Sequence, residues 1–84
     1  MVTRDMLFSS LESAIKLAEQ ALQEREEAQR ALCHANGVKS WDDIGPYEMW
    51  KLGADLESQI EDLNDLIDEL KYKIKYISAF ADII

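Results

Sequence analysis

The chain has 84 residues, 48% of them hydrophobic and 31% charged, a composition that excludes an intrinsically disordered polymer and suffices for one small domain, residues 1–84. Seventeen acidic residues against nine basic ones give a net charge of −8, which opposes direct binding to nucleic acid or to anionic lipid. With one cysteine, Cys33, and one histidine, His34, the chain can form no intrachain disulfide and has too few thiol and imidazole donors for a four-ligand zinc site.

At the N-terminus Asp5 and Glu12 interrupt the stretch where a signal peptide would carry its apolar core. The longest run without Asp, Glu, Lys or Arg is Ala31 to Val38, far below the roughly 20 apolar residues that span a bilayer. A cytoplasmic location, in the cell or in an infected host, fits these features, and a lone cysteine suits a reducing compartment.

The first element is a helix over about residues 4–36. Thr3, Asp5 or Ser9 can cap its start, the last with Glu12 as a capping box, and Gly37 supplies the left-handed residue after its end. A heptad row Leu7, Ala14, Ala21, Ala28 and Ala35 alternates with Leu11, Ala18, Arg25 and Leu32, and Phe8, Ile15 and Leu22 flank it. Alanine at this spacing permits close approach of a second helix.

All three glycines and the single proline fall between Gly37 and Gly53. They place a connector at residues 37–45, in which Ser40-Trp41-Asp42-Asp43 can cap one short turn, and Pro46 suits the first position of the next helix. That second helix runs over about residues 46–83, toward the chain end at Ile84. Its seam reads Met49, Gly53, Leu56, Ile60, Leu63, Ile67, Leu70, Ile74, Ile77, Ala81 and Ile84, spaced alternately by four and three residues. Ile and Leu alternating in this way form a coiled-coil interface. Leu52, Leu66 and Phe80 widen the stripe, as expected of a bundle with more than two helices.

At 1.5 Å per residue the helices are about 50 and 57 Å long, matched for an antiparallel hairpin. The fold class is therefore all-α: a two-helix hairpin whose surplus apolar flanks predict homodimerisation into a four-helix bundle. The core of that assembly is the seam of Leu56, Ile60, Leu63, Ile67, Leu70, Ile74 and Ile77.

Charge is distributed unevenly. Residues 1–36 carry four basic and six acidic side chains, residues 37–70 two and ten, and residues 71–84 three and one. Asp55, Glu57, Glu61, Asp62, Asp65, Asp68 and Glu69 form an acid ridge on the second helix, where neighbours three and four apart repel. Such a ridge either solubilises the exterior or docks a basic partner. Beyond Ile74 the helix is apolar nearly all round, with Tyr72, Tyr76, Ala79 and Ile83 opposite the seam. In a hairpin that end meets Met1, Val2, Met6, Leu7 and Phe8, rimmed by Lys71, Lys73 and Lys75, and a concentrated apolar patch is an interface. At the connector, Trp41, Ile44, Tyr47, Met49 and Trp50 either plug the bundle end or offer binding hot spots.

Catalytic patterns are missing. Cys33 and His34 are adjacent on one helix, so their side chains diverge by about 100° and do not form a nucleophile–base pair. Glu24, Glu26 and Glu27 lack the Glu-x-x-His companions of a helical di-metal site, Asp62 to Asp65 lacks the turn glycine of a calcium loop, and no glycine-rich phosphate loop is present. The reading is a non-enzymatic interaction module without metal or cofactor, an oligomeric adaptor, small chaperone or assembly factor that binds itself and another protein. The alternative is a small acidic inhibitor, of the kind mobile elements or phages encode, whose carboxylates block a basic nucleic-acid-binding site on a target. The candidate partner surface comprises Asp55, Glu61, Asp62, Asp65, Asp68 and Glu69 on the ridge, Trp41, Tyr47 and Trp50 at the connector, and Tyr76 and Phe80 at the open end.

Overall fold

The computed structural model describes residues 4–79 as two long helices, α1 (Arg4–Ala35) and α2 (Tyr47–Ala79), joined by a connector with a 3-10 turn at Trp41–Asp43. They pack side by side and antiparallel, as the Arg25–Gln59 and Gln29–Glu57 side-chain pairs show. No strand occurs among the described residues. The all-α hairpin read from the two heptad patterns is the observed architecture. Phe80, Ala81, Ile83 and Ile84 of the expected second helix, Met1 and Val2 of the expected open end, and the candidate cap Thr3 lie outside the described residues.

Helix α1 is already formed at Arg4, so Asp5 and Ser9 are helical residues rather than caps. At its other end the backbone turns by a Schellman motif. Gly37 has φ +66°, its N–H donates to the His34 carbonyl at 3.1 Å, and the Val38 N–H donates to the Cys33 carbonyl at 3.1 Å. Asn36 completes the closure by donating its side-chain N–H to the Leu32 carbonyl at 2.8 Å. The left-handed residue expected at Gly37 is where the sequence placed it. Pro46 stands one residue earlier than expected, before α2 rather than as its first residue. Its carbonyl accepts the Trp50 N–H at 2.9 Å, the first bond of the helix.

The interface follows the expected seam of α2. Gly53 and Ile67 are buried, and Leu56, Ile60, Leu63, Leu70, Ile74 and Ile77 are half-buried. Met49 departs from it and is exposed. Leu52 and Leu66, the expected flank, are exposed as well.

The seam of α1 is rotated from the one expected. Leu11, Ala18, Arg25 and Leu32 face α2, but the row alternating with them is Phe8, Ile15, Leu22, Gln29 and Asn36, all buried or half-buried. In the alanine row Leu7, Ala14 and Ala21 are half-buried, while Ala28 and Ala35 are exposed. Isoleucine and leucine remove more apolar area from water than alanine at the same period, so they take the inner position.

Toward the connector the α1 side of this seam becomes polar. Arg25 donates to the Gln59 side-chain oxygen at 2.7 Å and to the Ala21 carbonyl at 3.1 Å, while Gln29 donates to the Glu57 carboxylate at 2.9 Å and the Gly53 carbonyl at 3.4 Å. Glu57 thus turns inward to the partner helix, away from the acid ridge assigned to it. What closes this end is the connector: Ile44 is 4% exposed, and Trp41 lies directly on Gly53. A β-carbon added at Gly53 would stand 2.9 Å from the Trp41 β-carbon, inside contact distance and next to the turn backbone.

Two stability outcomes follow from these contacts. Ile67 is 6% exposed, and an aspartate there loses the roughly 1.5 to 3 kcal/mol of its burial and strands a carboxylate in the seam, so Ile67→Asp should abolish most of the helical circular dichroism. Retained helicity would contradict the packing. Gly53→Ala should lower the melting midpoint although alanine in a helix interior gains about 1 kcal/mol over glycine, because the Trp41 turn must move to admit it. A raised midpoint would show that turn to be soft.

Candidate interaction surfaces

At the open end, a groove of about 480 Å³ lies between the two helices, lined by Leu7 and Leu11 of α1 and by Tyr72, Tyr76 and Ile77 of α2. Leu7 and Leu11 are one turn apart, as are Tyr72 and Tyr76, so each helix presents two side chains on one face. Glu69 and Lys73 border the groove and pair with each other at 3.3 Å. Of the expected lysine rim, Lys73 alone lines it. Leu11 is an additional wall residue whose i,i+4 relation to Leu7 was the available signal, and Tyr72, already read as part of the apolar end, is in the wall. Tyr76, singled out from the sequence, is part of the wall; Phe80 lies outside the described residues.

Along the outer face of α2, Asp55, Glu61, Asp62, Asp65, Asp68 and Glu69 are all exposed. Apart from Glu69, none of them makes an ion pair or a side-chain hydrogen bond among the described residues. From Asp55 to Glu69 the ridge extends about 21 Å along the helix axis. It presents an acceptor-only surface able to engage several lysine or arginine side chains at once.

The connector tip holds three aromatic rings. Trp41 and Trp50 are half-buried with centroids 5.7 Å apart and planes tilted by 51°, and Tyr47 stacks on the outer side of Trp50 at 6.2 Å and 20°. Trp41 is thereby committed to Gly53 and the turn. Tyr47, 70% exposed, is the ring left facing solvent.

Cys33 and His34 border a shallow cleft of about 510 Å³ together with Arg30, Val38, Lys39 and Trp41. Cys33 is half-buried, His34 is exposed, and no hydrogen bond joins them. The cleft mixes polar and apolar side chains and carries two basic ones, Arg30 and Lys39. Among the described residues no group of three or more His, Cys, Asp or Glu side chains is placed to hold a metal ion, and no helix is long and apolar enough to cross a membrane. No protein-family model, curated protein or solved structure matches the chain.

The unpaired ridge carries an energetic signature. Asp65 faces Glu61 and Glu69 four residues away and Asp62 and Asp68 three residues away, and each like-charge pair costs about 0.2 to 0.5 kcal/mol. Asp65→Lys converts repulsion to attraction on both sides. It should raise the melting midpoint in low salt, and the gain should fade in about 1 M salt, where the screening length is roughly 3 Å. An unchanged low-salt midpoint would show that the ridge carboxylates do not interact.

Proposed function

We propose that this chain is a non-catalytic protein–protein interaction module of the cytoplasm: an oligomeric helical-hairpin adaptor, small chaperone or assembly factor. The observation that carries the reading is the open-end groove. It is walled by Leu7, Leu11, Tyr72, Tyr76 and Ile77, with its bordering charges, Glu69 and Lys73, neutralising each other. An apolar recess of this kind takes the apolar side of another protein's helix or extended segment, and the tyrosines add large contact area at low entropic cost. The exposed Tyr47 offers a smaller contact at the opposite end of the rod.

The unpaired carboxylates of the ridge support a second reading, an acidic inhibitor that occupies a basic nucleic-acid channel on its target. Surface-exposed, regularly spaced and without lysine partners from Asp55 to Asp68, these carboxylates match arginine and lysine side chains better than they match an apolar surface.

A photo-crosslinking residue in place of Tyr76, compared with one in place of Asp65, separates the two in the cell that makes the protein. The adaptor reading predicts adducts of defined mass from position 76 that disappear when Leu11→Glu is added, with few from position 65. Adducts from position 65 alone, lost in the Asp62→Lys, Asp68→Lys background, would replace it with the inhibitor reading.

A further inference from the structure

Among the described residues, the rotation of the α1 seam leaves one flank of the hairpin uncovered. Leu7, Ala14, Ala21, Ala28 and Ala35 form its inner row on α1, and Ser10, Leu17, Glu24 and Ala31 recur between them at three- and four-residue steps. Helix α1 therefore carries two heptad seams side by side. One packs on α2; the other holds Leu17, 68% exposed, together with exposed Ala28, Ala31 and Ala35. On α2 the row Leu52, Gln59, Leu66 and Lys73 borders the same side, because Leu7 and Lys73 line the same groove. The two inner rows bring no carboxylate to this flank. The opposite flank is charged, with Glu12, Glu19 and Glu26 on α1 and Glu57 and Lys71 on α2.

We propose that this flank is covered by a second copy of the chain, α1 against α1 in antiparallel, two-fold arrangement with Ala21 at the axis. This deepens the self-association part of the reading above by assigning the face.

The amount of surface supports it. The hairpin exposes 6338 Å², whereas a compact monomer of its mass exposes roughly 5,100 Å². The excess of roughly 1,200 Å² exceeds the approximately 800 Å² that each partner contributes to a standard stable interface. A chain of net charge −8 repels its own copies, so self-association needs a face with few charges, and this flank is that face.

The register is also self-complementary. A two-fold at Ala21 sets Ala14 opposite Ala28 of the second copy and Leu7 opposite its Ala35, so every pair in this row has an alanine on at least one side and the helices can approach closely. It places Leu17 beside the stem of Glu24 of the second copy, whose carboxylate reaches solvent. The outer row Met6, Ser13, Gln20, Glu27 and His34 is then offset by about 3 Å along the helix, which brings Ser13 near Glu27 of the second copy and Gln20 near its Gln20, and no like charges stand directly opposite. This is the isologous contact of a closed dimer. The same axis brings the connector end of one copy alongside the groove end of the other.

Sedimentation of the full chain, with circular dichroism and cysteine cross-linking, tests the assignment. The wild type should sediment at about twice the 9.6 kDa chain mass. Leu17→Glu and Ala28→Glu, both at positions exposed in the hairpin, should each give helical monomers. In a Cys33→Ser background, Ala21→Cys should oxidise to a covalent dimer and Glu26→Cys, on the charged flank, should not. Dimers that persist in both glutamate variants, or that cross-link through Glu26→Cys and not Ala21→Cys, overturn the face while leaving self-association intact. A wild type that stays monomeric at all concentrations overturns this proposal and self-association together, and adducts from position 76 would then still decide the adaptor reading.

Discussion

Two helices share one interface, and everything distinctive about this molecule follows from that limit. Each helix offers the other a single stripe, so the buried part of the hairpin is one row of side chains deep. Ile15, Ala18, Ile44 and Ile67 are the buried hydrophobic residues among those described, and no large side chain there is wholly shielded from water. The result is a rod with a radius of gyration of 17.8 Å, where a compact chain of this length would have about 12 Å. One stripe of each helix is satisfied, while the sequence supplies apolar residues for more. Leu17, Leu52, Leu66 and the two open-end tyrosines are what remains on the surface.

The connector compensates at one end. With α1 finished at the Schellman turn, the space beside the first turns of α2 is filled by Trp41 and Ile44, and the missing side chain of Gly53 lets the indole lie against the helix. Gln29 and Arg25 then satisfy polar groups across the seam where α1 has no large apolar residue to offer. Among the described residues no comparable device acts at the open end, where Leu7, Leu11 and Tyr76 wall the groove. The ends of the rod therefore differ in kind: one is plugged from within, and the other is a recess.

Much of this was legible in the order of residues. The Ile and Leu spacing of α2 has one periodic solution, and from Gly53 to Ile77 it is the face that packs on α1. Gly37 identified the end of α1 because only a left-handed residue closes that turn. On α1 two solutions share the Leu11 row and differ only in whether the alanines or Phe8, Ile15 and Leu22 join it. Both have the same period, so spacing cannot choose between them; burial of larger side chains does. Glu57 was misplaced for a related reason, since a heptad wheel assigns it to an edge but says nothing of the Gln29 amide waiting across the seam. The outward position of Asp55, Glu61, Asp62, Asp65, Asp68 and Glu69 followed from period alone. The groove was visible only as an apolar end, because its walls depend on which side chains of the two helices come together there.

A hairpin one row deep gains from any partner that covers its free flank, and when that partner is another copy the gain depends on protein concentration. The melting midpoint measured from low-micromolar to near-millimolar protein is the direct test. A midpoint that climbs steadily with concentration means that association contributes to the stability of the fold, as this account requires. A midpoint independent of concentration, with sharp and fully helical unfolding, would mean that the single seam holds the hairpin unaided and would contradict it.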